Sequence, residues 1–437
     1  MSKVEVNTVE PQCGTTLTLG GSGDTVALGS GASQTGFGRT GTVDWDTTIK
    51  VTGDSPITSV SGKGYFLNTT AGTITINLPT SPSAGDIVSI KDYARTWSSN
   101  AVTVGRGGSN MDGVAVDTTF STNGLSITMI YMDASKGWSL INEDSTTNMG
   151  ALYVTATGGT PCAGATCGNY KIHTFTGPGT LVVSCGGNSA GSNVVDYMVV
   201  AGGGGGGGSV PGYYAGGGGG AGGFRESVPS PAAWTASPIA NPGNARPVSA
   251  TPYAIVIGGG GAGGAGPGSC SGVQGSTSSF SDISSAGGGS GGKSTGGPGG
   301  GVAGGPGGSG GGGGAKQPGG TNVGGTGNTP VVSPAQGFNG GNGSSNTSGV
   351  GGGGGGALGV GDTGTCQPYG QVGGPGATTC ISGSPLTKAV GGATGCQPGG
   401  TPTTAANSGT GGQSGGECAP TGAGGGSGIV IIRYKFQ

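Results

Sequence analysis

The sequence predicts an all-β protein in three parts. These are an N-terminal β anchor (residues 1–45), a small β-sandwich module (46–149), and a glycine-rich domain (150–437). In the last part a small β-sheet carries stacked polyglycine-II helices, and no α-helices of note are expected anywhere. Three observations carry this expectation. Of the 114 glycines in 437 residues, 84 fall after residue 200. Before that point, short runs with apolar residues at every second position alternate with turn signals. A β-branched run, residues 429–432, closes the chain behind the glycines.

In the first part, residues 16–19 and 25–28 are two short alternating pieces split by Gly20-Gly21-Ser22-Gly23-Asp24. Two-stranded ribbons are marginal in water, so these pieces need other chains or a docking partner. In the second, strands are expected at 64–68, 73–78, 86–91, 101–104, 125–131 and 137–141. Residues 73–78 read Thr-Ile-Thr-Ile-Asn-Leu, one face buried and one wet. Trp97 and Trp138 are expected in the core or at its rim. In the third, 170–176, the turn Gly177-Pro178-Gly179 and 180–184 are expected to form a hairpin. Residues 194–200 run directly into seven glycines, and 253–257 run into another glycine tract.

Gly/Ser-rich sequence ordinarily means a flexible linker, because such a chain buries too little apolar surface to offset its ordering entropy. At about 1–2 kcal/mol per residue, ordering 84 glycines opposes folding by on the order of 100 kcal/mol. Backbone hydrogen bonds between extended three-per-turn helices could compensate, since chains without Cβ atoms approach closely from several directions. Two features favour this ordered alternative. The tracts 202–208, 216–223, 258–268, 296–314 and 351–356 are interrupted by inserts and not evenly mixed with them. The apolar strand at 429–436 must pair with strands some 170 or more residues earlier, which makes the tracts a closed excursion from one sheet.

Several functions are disfavoured. A net charge of −2 offers no basic stripe to neutralise phosphates, so no nucleic-acid partner is expected. The longest apolar runs are strand-sized, far short of the ~20 residues of a membrane span. Met1 to Glu10 has no apolar stretch behind its lysine, so host export is not the expected route to an extracellular role. Collagen is excluded because the every-third glycine period is missing. Nine cysteines without a CxxC, and a single histidine, make a metal site unexpected, and no cofactor is expected. Residues 287–294 read Gly-Gly-Gly-Ser-Gly-Gly-Lys-Ser and match the phosphate-loop pattern literally. No helix can follow it in Thr295-Gly296-Gly297-Pro298, so the match is chance. Mid-strand His173 reads as structural. Catalytic carboxylates would have to come from Asp112, Asp117, Asp133 or Asp44 with Asp46, and an enzyme is not expected.

The inserts between tracts are where recognition can reside, because binding residues concentrate on loops held by a rigid scaffold. The candidate site residues are Tyr213, Tyr214, Arg225, Trp234, Asn241, Asn244 and Tyr369. Exposed aromatics with asparagine neighbours suit sugars or protein surfaces.

The run of residues 14–26 with 36–45 resembles the short virion-attachment repeat of marine bacteriophage tail fibres, particularly those of phages that infect cyanobacteria. Residues 64–79 with Gly85-Asp86-Ile87-Val88 and Gly137-Trp138 resemble a β module of phage fibres. The segment from His173-Thr174-Phe175 through 199–201 and the glycines to 429–434 resembles the phage glycine-rich domain. It is also similar in design to the polyglycine-sandwich adhesins of T-even-like phages, in which loops between glycine helices choose the host receptor. The resemblance implies a virion structural protein, a homotrimer assembled in the host cytoplasm. It would be held by a tail, adaptor or baseplate protein through its N-terminus and would present its glycine domain to a host glycan or outer-membrane protein. A head-decorating fibre, a non-viral glycine-rich surface protein and an ice-binding protein are the alternatives.

Overall fold

A computed structural model describes residues 43–141, 152–188, 191–210, 215–266, 270–294, 301–315, 322–344, 349–364, 371–395, 405–416 and 419–437. The expected N-terminal anchor lies outside the described residues except for its last three. The chain is all-β, as expected, with a single 3-10 turn at Thr52–Asp54 as the helical element among the described residues.

The first module has nine strands: β1 (Asp44–Val51), β2 (Ile57–Thr58), β3 (Lys63–Asn68), β4 (Ile74–Asn77), β5 (Ile87–Asp92), β6 (Val102–Gly105), β7 (Thr118–Phe120), β8 (Ser126–Asp133) and β9 (Gly137–Leu140). They form two sheets, β1-β3-β5-β8-β9 and β2-β4-β6-β7. Within these, β1-β3-β5 and β2-β4-β6 pair in parallel. The chain therefore alternates between sheets and stacks coil upon coil, until the antiparallel β7, β8 and β9 close the stack. Alternation decides what lies inside. Ile74 and Ile76 of β4 are fully buried while Thr75 and Asn77 are half-buried. Trp97 and Trp138 are core residues without solvent exposure.

The second unit is a sandwich joined to a glycine bundle. One sheet runs β10 (Val154–Thr157), β13 (Gly179–Gly186), β18 (Pro252–Val256), β19 (Ser278–Phe280), β20 (Ile283–Ser285). The other runs β11 (Thr160–Cys167), β12 (Tyr170–Phe175), β23 (Ile429–Lys435), β14 (Val194–Val200), β15 (Phe224–Val228), β16 (Asn241–Pro242), with β17 (Arg246–Pro247) also paired to β14. The hairpin β21 (Ala377–Thr379) and β22 (Leu386–Lys388) stands apart. Strand β23 lies between β12 and β14, pairing Phe175 with Val430 and Val200 with Ile429. The chain therefore closes its glycine excursion on the sheet it left.

Both faces of β14 and β23 are covered, which explains their uninterrupted apolar character. Val195, Tyr197, Val199, Val430, Ile432 and Tyr434 face the core between the sheets. Met198, Val200, Ile429 and Ile431 face a second core beneath Phe224, Ile381 and Trp234. The expected 170–184 hairpin is not formed. Strands β12 and β13 belong to opposite sheets, and Gly177-Pro178 carries the chain across the sandwich edge. A turn signal shows that a chain reverses, but not which partner the next strand finds.

Between the strands the glycine tracts run as extended helices bonded only through their backbones. In tract 202–208, successive residues donate to different neighbours with a period of three. Gly202, Gly205 and Gly208 donate to Ser276, Val273 and Cys270, while Gly203 and Gly206 donate to Gly426 and Ala423. Gly204 and Gly207 donate to Gly220 and Gly217, and all seven distances are 2.8–3.0 Å. The carbonyls of the same tract accept from three further neighbours, at Gly288 and Gly291, Gly261 and Gly264, and Gly412 and Gly415. The residue numbers show that it donates to three antiparallel neighbours and accepts from three parallel ones. This hexagonal arrangement satisfies every backbone group without a side chain. A Cβ on Gly205 would collide with the Ala262 carbonyl, and one on Gly219 with that of Gly204. Neither residue has a left-handed φ, so what glycine supplies here is room.

The expected single tract at 296–314 is, over its described part, two antiparallel tracts that fold back near Gly307. Gly311 donates to Gly305 and Gly314 to Val302. Further tracts at 270–276, 286–294, 322–327, 337–343, 360–364, 371–375, 389–395, 408–416 and 421–428 complete the bundle among the described residues. Their glycines are diluted by Val, Asn, Ala and Ser.

Candidate functional site

Tracts 202–208 and 258–264 leave β14 and β18, and 216–223 and 421–428 return to β15 and β23, so the bundle has a sheet end and a far end. Hydrogen bonds join the far ends of the tracts into one face. Ser209 N–H donates to Pro420, Gly208 to Cys270 and Ser294 to Gly208. Ala315 donates to Ala215, Ala215 to Gly349, and Ser344 to Val350. Gly364 donates to Asn342, and Thr394 to Gln371. Side chains fasten the rim. Asn322 Nδ2 donates to the Gly314 carbonyl at 2.7 Å, and Ser209 Oγ to the Gly416 carbonyl at 3.0 Å. Any connection between neighbouring tracts at this face starts from a platform held by backbone bonds on several sides.

Of the predicted site residues, four lie among the described residues and three do not. Tyr213, Tyr214 and Tyr369 lie outside the described residues, in segments whose flanking tract ends, Val210 and Ala215, Gly364 and Gln371, belong to the far face. Arg225, Trp234, Asn241 and Asn244 belong to the sheet end. Arg225 sits on β15 opposite Val199, its Nη1 3.4 Å from the Ser284 carbonyl. Asn241 pairs with Ser227 in β16. Exposed Asn244 donates from Nδ2 to the buried Tyr197 hydroxyl at 3.1 Å.

Trp234 closes an aromatic clamp. The Arg433 guanidinium lies 4.3 Å from the Trp234 ring and 4.6 Å from that of Tyr170, and the two rings meet edge-on at 5.9 Å. Its Nη1 donates to the carbonyls of Cys380 and Ile381, tying the C-terminal strand to the β21–β22 hairpin. Next to it on β14 is buried Asp196, whose Oδ1 accepts from Ser227 Oγ at 2.8 Å. Burial pushes the Asp196 carboxyl up to about 6, against the pull of Ser227 and Arg433. Glu226, also buried, accepts from Ser237 N–H at 3.0 Å and from the Thr379 hydroxyl. Glu226 and Arg433 thus hold the 229–240 insert and the hairpin against the sheet.

His173 is wholly buried. Its Nδ1–H donates to the Gly158 carbonyl at 2.7 Å, so Nε2 accepts from the Tyr434 hydroxyl at 3.0 Å. Burial lowers its pKa, and the ring stays neutral as a structural bridge between β12 and β23. In the phosphate-loop lookalike, the N–H groups of Gly288, Gly289, Gly291 and Gly292 already donate to Gly202, Ser309, Gly205 and Gly312. They have no free direction with which to cradle a phosphate.

Charge follows the same division. Arg225, Glu226, Arg246, Asp282, Lys388, Arg433 and Lys435 sit on or between the strands, with Arg246 and Asp282 paired at 3.2 Å. Among the described residues of the tracts, Lys293 and Asp362 carry charge.

A family model described as a glycine-rich domain matches residues 186–435, which is more than half of the chain. The matched segment starts at the end of β13, takes in every glycine tract and ends with β23. No curated protein matches the chain.

Proposed function

This chain belongs to the glycine-rich domain family, and on that premise we propose that it is a bacteriophage tail fibre protein that binds a host cell surface with the far face of its glycine bundle. The convergence of the tract ends on one face carries the reading. A backbone-bonded scaffold whose connections gather at one end suits recognition, because those connections can change while the scaffold does not. The finer features belong to the same proposal. They are homotrimerisation, attachment to a tail or baseplate protein through residues 1–45, residence in the virion, and a receptor that is a glycan or an outer-membrane protein.

Adsorption of the full-length protein to host cells tests it. Replacing residues 211–214 and 365–370 with Gly/Ser of equal length is expected to weaken binding by about tenfold or more. The variant R225A/N241A/N244A, altered at the sheet end, is expected to bind as the wild type does. Full binding by the first variant would remove the far face from the proposal. Loss of binding in the second alone would move the site to the sheet end.

A further inference from the structure

A hexagonal array of polyglycine helices has no natural boundary. Any helix at its surface has fewer than six neighbours, and its unused donors and acceptors repeat every three residues. A polyglycine helix of a second copy could occupy the empty direction. This is the liability of an exposed sheet edge in another geometry.

Four tracts side by side, 322–327, 337–343, 360–364 and 371–375, form a lateral face, linked by Gly340 to Gly325, Gly361 to Asn339 and Asp362 to Val372. On this face every third residue is exposed and is not glycine. One rung is Val323, Asn342, Thr363 and Val372, and the other is Thr326, Asn339, Val360 and Pro375. The residues between them are mostly glycine and are largely buried, apart from the exposed Asp362. The N–H groups of Val323, Thr326, Asn339, Asn342, Val360 and Thr363 donate to no acceptor among the described residues. These are the open positions of the array, and each carries a Cβ. A second device is present in tract 322–327. The outward N–H groups of Gly324 and Gly327, which lack a neighbouring helix, donate to Asn342 Oδ1 at 2.9 Å and Asn339 Oδ1 at 2.8 Å.

We infer that these outward residues terminate the glycine array, so that the face cannot accept a polyglycine helix of a second copy. Inside the bundle a single Cβ collides with the neighbouring carbonyl, as at Gly205 and Gly219. A Cβ at each open position holds a second copy off by the same contact. The asparagine oxygens stand where that copy's carbonyls would have to be. The inference concerns the side of the bundle and is independent of what the far face binds.

The test compares two full-length variants, N339G/N342G and N339A/N342A, with the wild type by sedimentation velocity across a tenfold range of concentration. Both variants lose the side-chain oxygens, but the alanine pair keeps the Cβ atoms. The glycine pair is expected to associate beyond the wild-type state, with about a doubling of weight-average mass at the highest concentration. The alanine pair is expected to sediment as the wild type does. Hydrogen exchange at 202–208 verifies that the bundle is intact, and if the glycine pair unfolds, N342G alone is judged by the same criterion. Wild-type sedimentation of the glycine variant overturns the inference, and so does equal association of the alanine variant.

Discussion

The first module and the glycine bundle solve the same problem with opposite materials. The module buries Trp97, Trp138, Phe120 and Ile57, Ile74, Ile76, Ile90 and Ile127, and its strands pair within two sheets. The bundle buries mostly glycine backbone with small side chains such as Ser309, Ser414, Ala221 and Ala315, and bonds its backbone in up to six directions at once. A side-chain core tolerates exchange of one apolar group for another because rotamers adjust around the change. A backbone core has nothing to adjust. Its tolerance is therefore displaced to its outer faces, where side chains such as those of Val323 and Val360 stand exposed.

The largest expected effect lies in the module. Trp138→Ala removes a fully buried indole and should cost about 3–5 kcal/mol of the module's stability in chemical denaturation, with exchange protection at 202–208 unchanged. Gly219→Ala adds one methyl group in the bundle and should cost on the order of 3 kcal/mol, because the carbonyl it meets belongs to the backbone and cannot rotate away. A bundle that absorbs this methyl without loss would break the contrast between the two materials.

The junction between sandwich and bundle sharpens it through pH. Folded Asp196 keeps its proton up to about pH 6, whereas the unfolded group releases it near 3.8. The folded state thus binds more protons between these values, and stability falls as pH rises across that window. Asp196→Asn should abolish this fall and raise stability at neutral pH by about 1–3 kcal/mol, measured by urea titration from acid to neutral pH. His173 acts in the opposite sense. Its pKa is lowered in the fold, so its contribution is present above the unfolded value of 6.5 and is lost as pH falls below it. In the Asp196→Asn protein this acid-side loss should stand alone. The smallest effect is that of salt. With few charges on the tracts, raising NaCl from about 0.05 to about 0.5 M should change the stability of the bundle by less than about 0.5 kcal/mol in thermal unfolding.

Alternation made the module legible, since residues 73–78 place β4 within one residue at either end. Strands β1, β2 and β7 escaped because they are charged, very short or threonine-rich, and owe their extended form to the neighbours they pair with. The order of the bundle could be read from the position of the 429–436 strand. Its diluted tracts could not, although wherever Val323 and Thr326, or Asn339 and Asn342, stand three apart, the spacing records one outward side. Composition also cannot reveal that Arg433, almost 200 residues after Trp234, comes to rest on its ring. The placement of Arg225, Trp234, Asn241 and Asn244 at the sheet end depends on the direction of each tract, which is a property of the assembled array.

The out-and-back course of each tract also decides how the molecule carries load. A pull on the far face, directed along the tracts, is divided between the two strands that lead to each connection. Every tract is held along its length by transverse bonds to its neighbours, so the pull loads those bonds together, in shear. They cannot open one after another as a peeled hairpin does. A bundle built largely of glycine is thereby suited to bear tension along its tracts.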